Sequence, residues 1–216
     1  MSRIIILEEI LHSFPGLAID TREVRGVHVS EVNPFLEEYK ETVYREVRQN
    51  YSLDTVKDVS AFRKYRDFFW KIGLDPTKVR PASEALVRRI LNGRPLPRIN
   101  TAVDAYNLSS VITRIPLAAF DADKITGDIK MRLALRGEKF QGIGMDDTMI
   151  LSGGEVVMVD DSHLSAVYPY RDADYSKVTV DSKNLLMISC GVPEISDDEL
   201  KYSVENAVDM IKKFNC

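Results

Sequence analysis

Histidine and cysteine are scarce in this chain: three His (His12, His28, His163) and two Cys (Cys190, Cys216) among 216 residues. The two cysteines are far apart and form no C-x-x-C, which argues against a disulfide scaffold or a structural zinc site. Three scattered histidines leave no H-E-x-x-H motif and little material for a catalytic triad or a His-rich metal centre. The Gly-rich phosphate loop, the dinucleotide-binding glycine triplet and the G-x-S-x-G elbow are all missing. No cofactor and no metal is therefore expected. Long apolar runs are missing too. The opening Ile4-Ile5-Ile6-Leu7 stops at Glu8, too short for a signal h-region, and nothing approaches a membrane span. Sparse cysteine fits a reducing cytosol, so a cytoplasmic location with no membrane partner is expected.

What is present is an ordinary globular composition, 44% apolar and 29% charged, with a net charge of -4 and a pI near 5.5. There is no global basic field to recruit nucleic acid. The charge is unevenly spread, however. Residues 57–98 hold 11 Lys and Arg against 4 Asp and Glu, whereas residues 99–216 hold 12 against 19. The middle block reads either as a local phosphate-binding face or as a pair of solvated helix faces.

Periodicity places the elements. Arg3 to Leu7 reads as a short buried strand, and Leu17–Asp20 and Gly26–Val29 as further strands. Asn33-Pro34 opens a helix whose apolar positions Leu36, Tyr39, Val43 and Val47 form one stripe. Ser60 is the expected cap of a second helix that ends at Gly73, and Ala82–Leu91 is a third. Arg94-Pro95-Leu96-Pro97 is extended, because each proline bars its predecessor from the α region. That link at 94–97 is the one plausible subdomain boundary in a chain otherwise read as a single unit, 1–216. Strict alternation marks Ile129–Leu135 as a half-buried strand, and Glu155–Asp160 and Asn184–Ser189 are read as two more. Ser196 with Glu199 is a capping box ahead of the last helix. Helices early and strands late favour α+β.

The segment Pro97–Asp121 is the most informative. Asn100, Asp104 and Asn107 recur at helical spacing where a buried face would carry Leu or Val. Such side chains either line a site or cap helices and bond to local backbone. Elsewhere, Asp121, Asp123, Lys124 and Asp128 sit in a turn-rich stretch. Gly153-Gly154 is either a hairpin turn or a point of close ligand approach. Asp160-Asp161 ends a strand as a carboxylate pair or a turn, with His163 just beyond. Tyr168, Tyr170 and Arg171 mix aromatics with a cation, suited to a base and a phosphate or to the rim of any pocket.

The run N-x-x-V-D-x-x-N, then P-L-A-A-F-D-A-D-K-I, then G-D-I, resembles the central editing domain of the phenylalanyl-tRNA synthetase beta chain. With GGEVVMVDD and YRDADYSKVT it resembles still more the freestanding proteins made of that domain alone. The resemblance implies layered helices on a mixed, partly barrel-like sheet system and hydrolysis of mischarged aminoacyl-tRNA, an ester deacylation. Asn107 and Asp104 are then the catalytic candidates. Asn100, Ser109, Ser110, Asp121, Gly154 and Arg171 would bind the aminoacyl substrate, and Lys124, Arg132 and Tyr170 the RNA. Partners would be tRNA or aminoacyl-tRNA, with an amino acid as ligand. One departure stands out: the synthetase domain has His after Pro-Leu, and this chain has Ala118, as the freestanding relatives commonly have a small residue. A non-catalytic RNA-binding module, or an amino-acid-binding protein that has lost the RNA, are the competing expectations.

Overall fold

The computed structural model describes residues 3–216. In chain order the elements are β1 (Ile4–Ile6), α1 (Glu8–Ser13), β2 (Ile19–Arg25), α2 (Pro34–Asn50), α3 (Ser60–Lys71), α4 (Ala82–Leu91), α5 (Thr101–Thr113) and β3 (Leu117–Asp121). They continue with β4 (Ile129–Leu133), β5 (Lys139–Phe140), β6 (Met149–Ile150), β7 (Val156–Val159), β8 (Leu164–Val167), β9 (Arg171–Asp172), β10 (Asn184–Cys190) and α6 (Asp197–Asn215). The strands form an antiparallel three-stranded sheet, β2-β10-β3, and a five-stranded sheet, β1-β4-β7-β8-β9. In the larger sheet only the β1–β4 pair is parallel, so it is mixed. A small hairpin, β5-β6, completes the set. The architecture is α+β with open sheets; the barrel-like element of the expectation corresponds to no closed barrel.

The period of two along β3 and β10 builds the layers. Leu117, Ala119, Leu185 and Met187 pack into one core with residues of α2, α4, α5 and α6. Their neighbours Ala118, Phe120, Leu186, Ile188 and Cys190 face the other way, against Met131, Val156, Met158 and Ala166 of the larger sheet. Helices thus cover one face of the small sheet and the second sheet covers the other. On the far face of the larger sheet, Val157, Val167 and Ala173 pack with Phe140 and Leu151 around the small hairpin.

Local chemistry explains most boundaries. Asn33 accepts hydrogen bonds from the Phe35 and Leu36 amides, with Pro34 at the first helical position of α2. Asn100 accepts from Val103 N at the start of α5, and the Ser196–Glu199 capping box is present at α6. Ser60 differs from expectation: it is the first helical residue of α3, the cap is Val59, and no side chain bonds there. The two strands expected around residues 17–29 are one, β2. Its side chains read as a polar connection because Arg22–Asp20 and Arg25–Glu23 ion pairs run along it. Gly26, at φ +68°, turns the chain out of the sheet. Among the described residues no helix is long and apolar enough to cross a membrane.

Candidate functional site

Between the two sheets lies a cavity of about 140 Å³. Its walls come from the sheets themselves: Leu117 and Ala118 of β3, Cys190 at the end of β10, Met158 of β7, Ala166 and Val167 of β8, and the Tyr168–Asp172 segment. Ala82, the first residue of α4, stands at its edge. The size is informative. Drug-sized ligands occupy about 300–1,000 Å³, whereas an apolar hole of about 150 Å³ admits benzene. The cavity therefore matches a single side-chain-sized group and is too small for a nucleotide.

Most of the lining is apolar, and one carboxyl interrupts it. Strand register decides which way it points. Asp172 pairs with Ala166 and Arg171 with Val167. Ala166 belongs to the core between the sheets and Val167 to the core on the far face. Asp172 accordingly faces between the sheets, while Arg171 takes the opposite side and donates from Nη1 to the Ile143 carbonyl at 2.9 Å. Gly142 leaves room for that reach, since a Cβ there would collide with the Arg171 stem. The guanidinium also lies 5.3 Å from the Tyr170 ring centroid, and its Nε is buried without a partner among the described residues.

No hydrogen bond or ion pair meets the Asp172 carboxyl among the described residues. Burial alone pushes its pKa up to about 7. Asp172 is half-buried by surface area, and the groups packed around it are shifted in the same direction. Burial raises the Cys190 thiol, with the Asp172 charge adding to it. A buried thiol held protonated in this way is inert, not a nucleophile. Burial likewise raises the Tyr106 hydroxyl, and the Asp172 charge is the next cause, so this α5 side chain lies within electrostatic reach of the carboxyl. Tyr65 donates to the Cys190 carbonyl at 2.8 Å and Tyr168 donates to the Gly191 carbonyl, which ties down the end of β10.

The expected site residues are distributed differently from the single cleft anticipated. Arg171 and Tyr170 border the cavity. Asn100 and Asp104 do not line it, because both are engaged in holding α5. Asn100 caps the helix and donates to the Val178 carbonyl. Asp104, 2% exposed, accepts from Lys40 Nζ at 2.6 Å and from Ile99 N at 2.9 Å. Burial opposes the Lys40 charge, but hydrogen bonds to Asp104 and Glu37 outweigh it and raise the ammonium. Ser110 Oγ donates to the Tyr106 carbonyl and accepts from Leu117 N, joining α5 to β3. Ser109 is fully buried and its Oγ has no partner among the described residues. Asn107 is half-buried and outside the cavity lining.

The remaining candidates have structural work. Asp121 accepts from Asp123 N and Ser182 Oγ. Lys124 sits 3.6 Å from Asp121 and donates to the Lys177 carbonyl. Arg132 makes a two-pronged pair with Glu138, at 2.9 and 2.6 Å. Neither cation presents an uncompensated charge for phosphate. Gly154 lies in the turn before β7, bonded to the Ala134 carbonyl. Asp160 receives the amides of Thr126, Ser162 and His163 and the Tyr175 hydroxyl; burial works against its charge, but these donors hold its pKa below the ordinary carboxylate range. Asp172 went unnoticed in the sequence because it sits in the charged run Arg171-Asp172-Ala173-Asp174, where only register separates it from Arg171.

The fold is an α+β domain with a small cavity between its two sheets. Residues 64–216 match the B3/4 domain family, and the chain belongs to that family. The phenylalanine–tRNA ligase beta subunit of Corynebacterium jeikeium is 30% identical over 114 residues, 53% of this chain and 13% of that protein. The beta subunit from Nocardia farcinica is 41% identical over 91 residues, 42% of this chain and 10% of that protein. The chain thus spans only a small fraction of the curated relatives it matches. Among solved structures, an N-terminal fragment of the phenylalanyl-tRNA synthetase beta subunit from Pyrococcus horikoshii superposes with a TM-score of 0.52 at 12% identity, covering 99% of this chain and 49% of that one. That likeness supports the α+β fold.

Proposed function

We propose that this protein hydrolyses the ester bond of an aminoacyl-tRNA, in the cytoplasm, with Asp172 as the general base. The observation that carries the reading is an unpaired carboxyl, raised to about 7, facing an apolar cavity the size of an amino-acid side chain. A general base is most effective when its pKa is near the working pH. An aminoacyl ester is already activated, so a positioned water and a proton acceptor suffice without a protein nucleophile. The side chain of the amino acid enters the cavity between Ala118 and Met158. Asp172 takes a proton from the water as its oxygen adds to the ester carbonyl. The ribose oxygen then departs with a proton, leaving a free amino acid and intact tRNA.

Tyr106, whose hydroxyl burial keeps protonated, is a donor for the developing oxyanion. Asn107, the next residue, takes no part in the caps and networks that occupy Asn100, Asp104 and Ser110. In this reading its amide orients the substrate. Ala118 leaves the space that a larger side chain would fill, and Asp172 supplies the base that Ala118 cannot. Incubation with a panel of mischarged tRNAs tests the proposal: at least one should be deacylated well above the spontaneous rate, and Asp172→Asn should remove that activity while the protein remains folded. No deacylation by the native protein across the panel, or an unchanged rate in the variant, would defeat it.

A further inference from the structure

A second concavity, about 500 Å³, runs along the outer face of α4 and is lined by Lys78, Arg80, Ala85, Arg88, Arg89, Asn92 and Arg94. Five of its seven lining residues are cationic and none is acidic, in a chain whose net charge is -4. Arg88 is neutralised by the buried Glu84, 2.7 Å away. Arg89 is steered by its bond to the Pro95 carbonyl and forms no ion pair among the described residues. Lys78, Arg80 and Arg94 are exposed and likewise form no ion pair among the described residues; Asp75 is the acid whose charge Lys78 feels. A globular surface normally intersperses both signs. Here Arg88 and Arg89 of α4 stand together with Lys78 and Arg80 before the helix and Arg94 after it.

The groove and the cavity touch the same helix about one turn apart, at Ala85 and Ala82. Ala82, which borders the cavity, is the first residue of α4, and Arg80 lies two residues before it. From Ala82 to Arg89 the helix rises about 10 Å at roughly 1.5 Å per residue. Stacked nucleotides advance about 3.4 Å each along a strand, so that length covers about three of them. A short single strand lying on α4 would bring its end to the cavity mouth.

We propose that the α4 groove holds the backbone phosphates of the single-stranded 3′ end of an RNA whose terminal aminoacyl group occupies the cavity. This rests on the ester-hydrolysis reading for what sits in the cavity, but the groove is tested separately. Recognition is by charge and not by base edges, which makes it indifferent to sequence and sensitive to salt. With four cations free of a neutralising partner, the slope of log affinity against log salt should be about -3, at about 0.7 per phosphate for a single strand.

The probe is an unacylated, fluorescently labelled single-stranded RNA of twelve nucleotides, followed by anisotropy from 50 to 300 mM KCl. The native protein should bind with that slope. Lys78→Gln, Arg80→Gln and Arg94→Gln combined should weaken binding at least tenfold at 100 mM salt and flatten the slope to about -1. All three residues are exposed, and an unchanged melting temperature will show that the variant is folded. Asp172→Asn should bind the probe as the native protein does. Equal affinity of the triple variant and native protein, a flat salt response, or binding only to anionic lipid vesicles would overturn the groove. RNA binding by a native protein that deacylates none of the charged tRNAs would instead count against the hydrolytic reading and leave the groove standing.

Discussion

Replacing Asp172 by Asn tests the energetic claim on which the site rests. The carboxyl has a pKa of about 7 in the folded chain against an ordinary value of 3.8, with burial as the cause. Between those values the native state holds a proton that the unfolded state has released. Stability must then fall as pH rises from about 4 to about 7, and level off above. A gap of about 3 in pKa, at about 1.36 kcal/mol each, caps the effect at about 4 kcal/mol. The cavity opens to solvent and can relax around the charge, so about 2 kcal/mol is the expected size. For a chain of this length that is about 4–8 °C in melting temperature.

Asn keeps the shape and hydrogen-bonding capacity without the charge. The measurement is the melting temperature of native and variant protein at pH 5, 6, 7 and 8, under conditions where unfolding is reversible. The native curve should drop more steeply than the variant's, and the variant should be the more stable of the two at pH 8. Other titrating groups contribute equally to both curves and cancel in the comparison. The same proton should govern catalysis: kcat/KM should rise about tenfold per pH unit below 7 and flatten above it. Parallel melting curves for the two proteins would refute the raised, unpaired state of Asp172 and remove the base from the mechanism.

Two further outcomes concern the scaffold. Lys40→Met should destabilise by about 3–5 kcal/mol, because it strands the buried Asp104 carboxylate without its counter-ion, and adding Asp104→Leu should recover much of the loss in a denaturant titration. Ser196→Ala should cost about 1 kcal/mol, or about 2–4 °C in melting temperature, by removing half of the capping box at α6.

Local chemistry was readable in the sequence wherever it acts over four or five residues. The Asn33-Pro34 cap and the Ser196–Glu199 box appear where expected, and the strand expected over Ile129–Leu135 is present over Ile129–Leu133. Strand β3 was not, since Leu117–Asp121 is buried at every position and shows no alternation, and a proline precedes it. The candidate site was half readable for a related reason. Polar side chains at helical spacing drew attention to α5, but spacing does not say what they bond, and no α5 residue lines the cavity. Asn100 and Asp104 are consumed by a cap and by Lys40, which lies 64 residues away from Asp104 in the chain. The cavity arises where β3, β10 and β8 meet, and no window of sequence contains all three.

Ala118 offers the sharpest separation between a binding site and a packing defect. It is 8% exposed and its neighbours on the same face, Phe120 and Ile188, pack tightly against the larger sheet, so a hole beside it is a stability cost that selection for packing alone would remove. Ala118→Leu adds three carbons facing about 140 Å³ of space. At about 0.8 kcal/mol per buried methylene-sized group, filling the hole should stabilise the protein by up to about 2 kcal/mol. If the hole receives the aminoacyl side chain, the same substitution abolishes deacylation and leaves RNA binding on α4 unchanged. Stability and activity then move in opposite directions, which is the signature of space kept open for a ligand. A more stable variant that still deacylates at the native rate would place the aminoacyl group elsewhere and leave the cavity as a fault in packing.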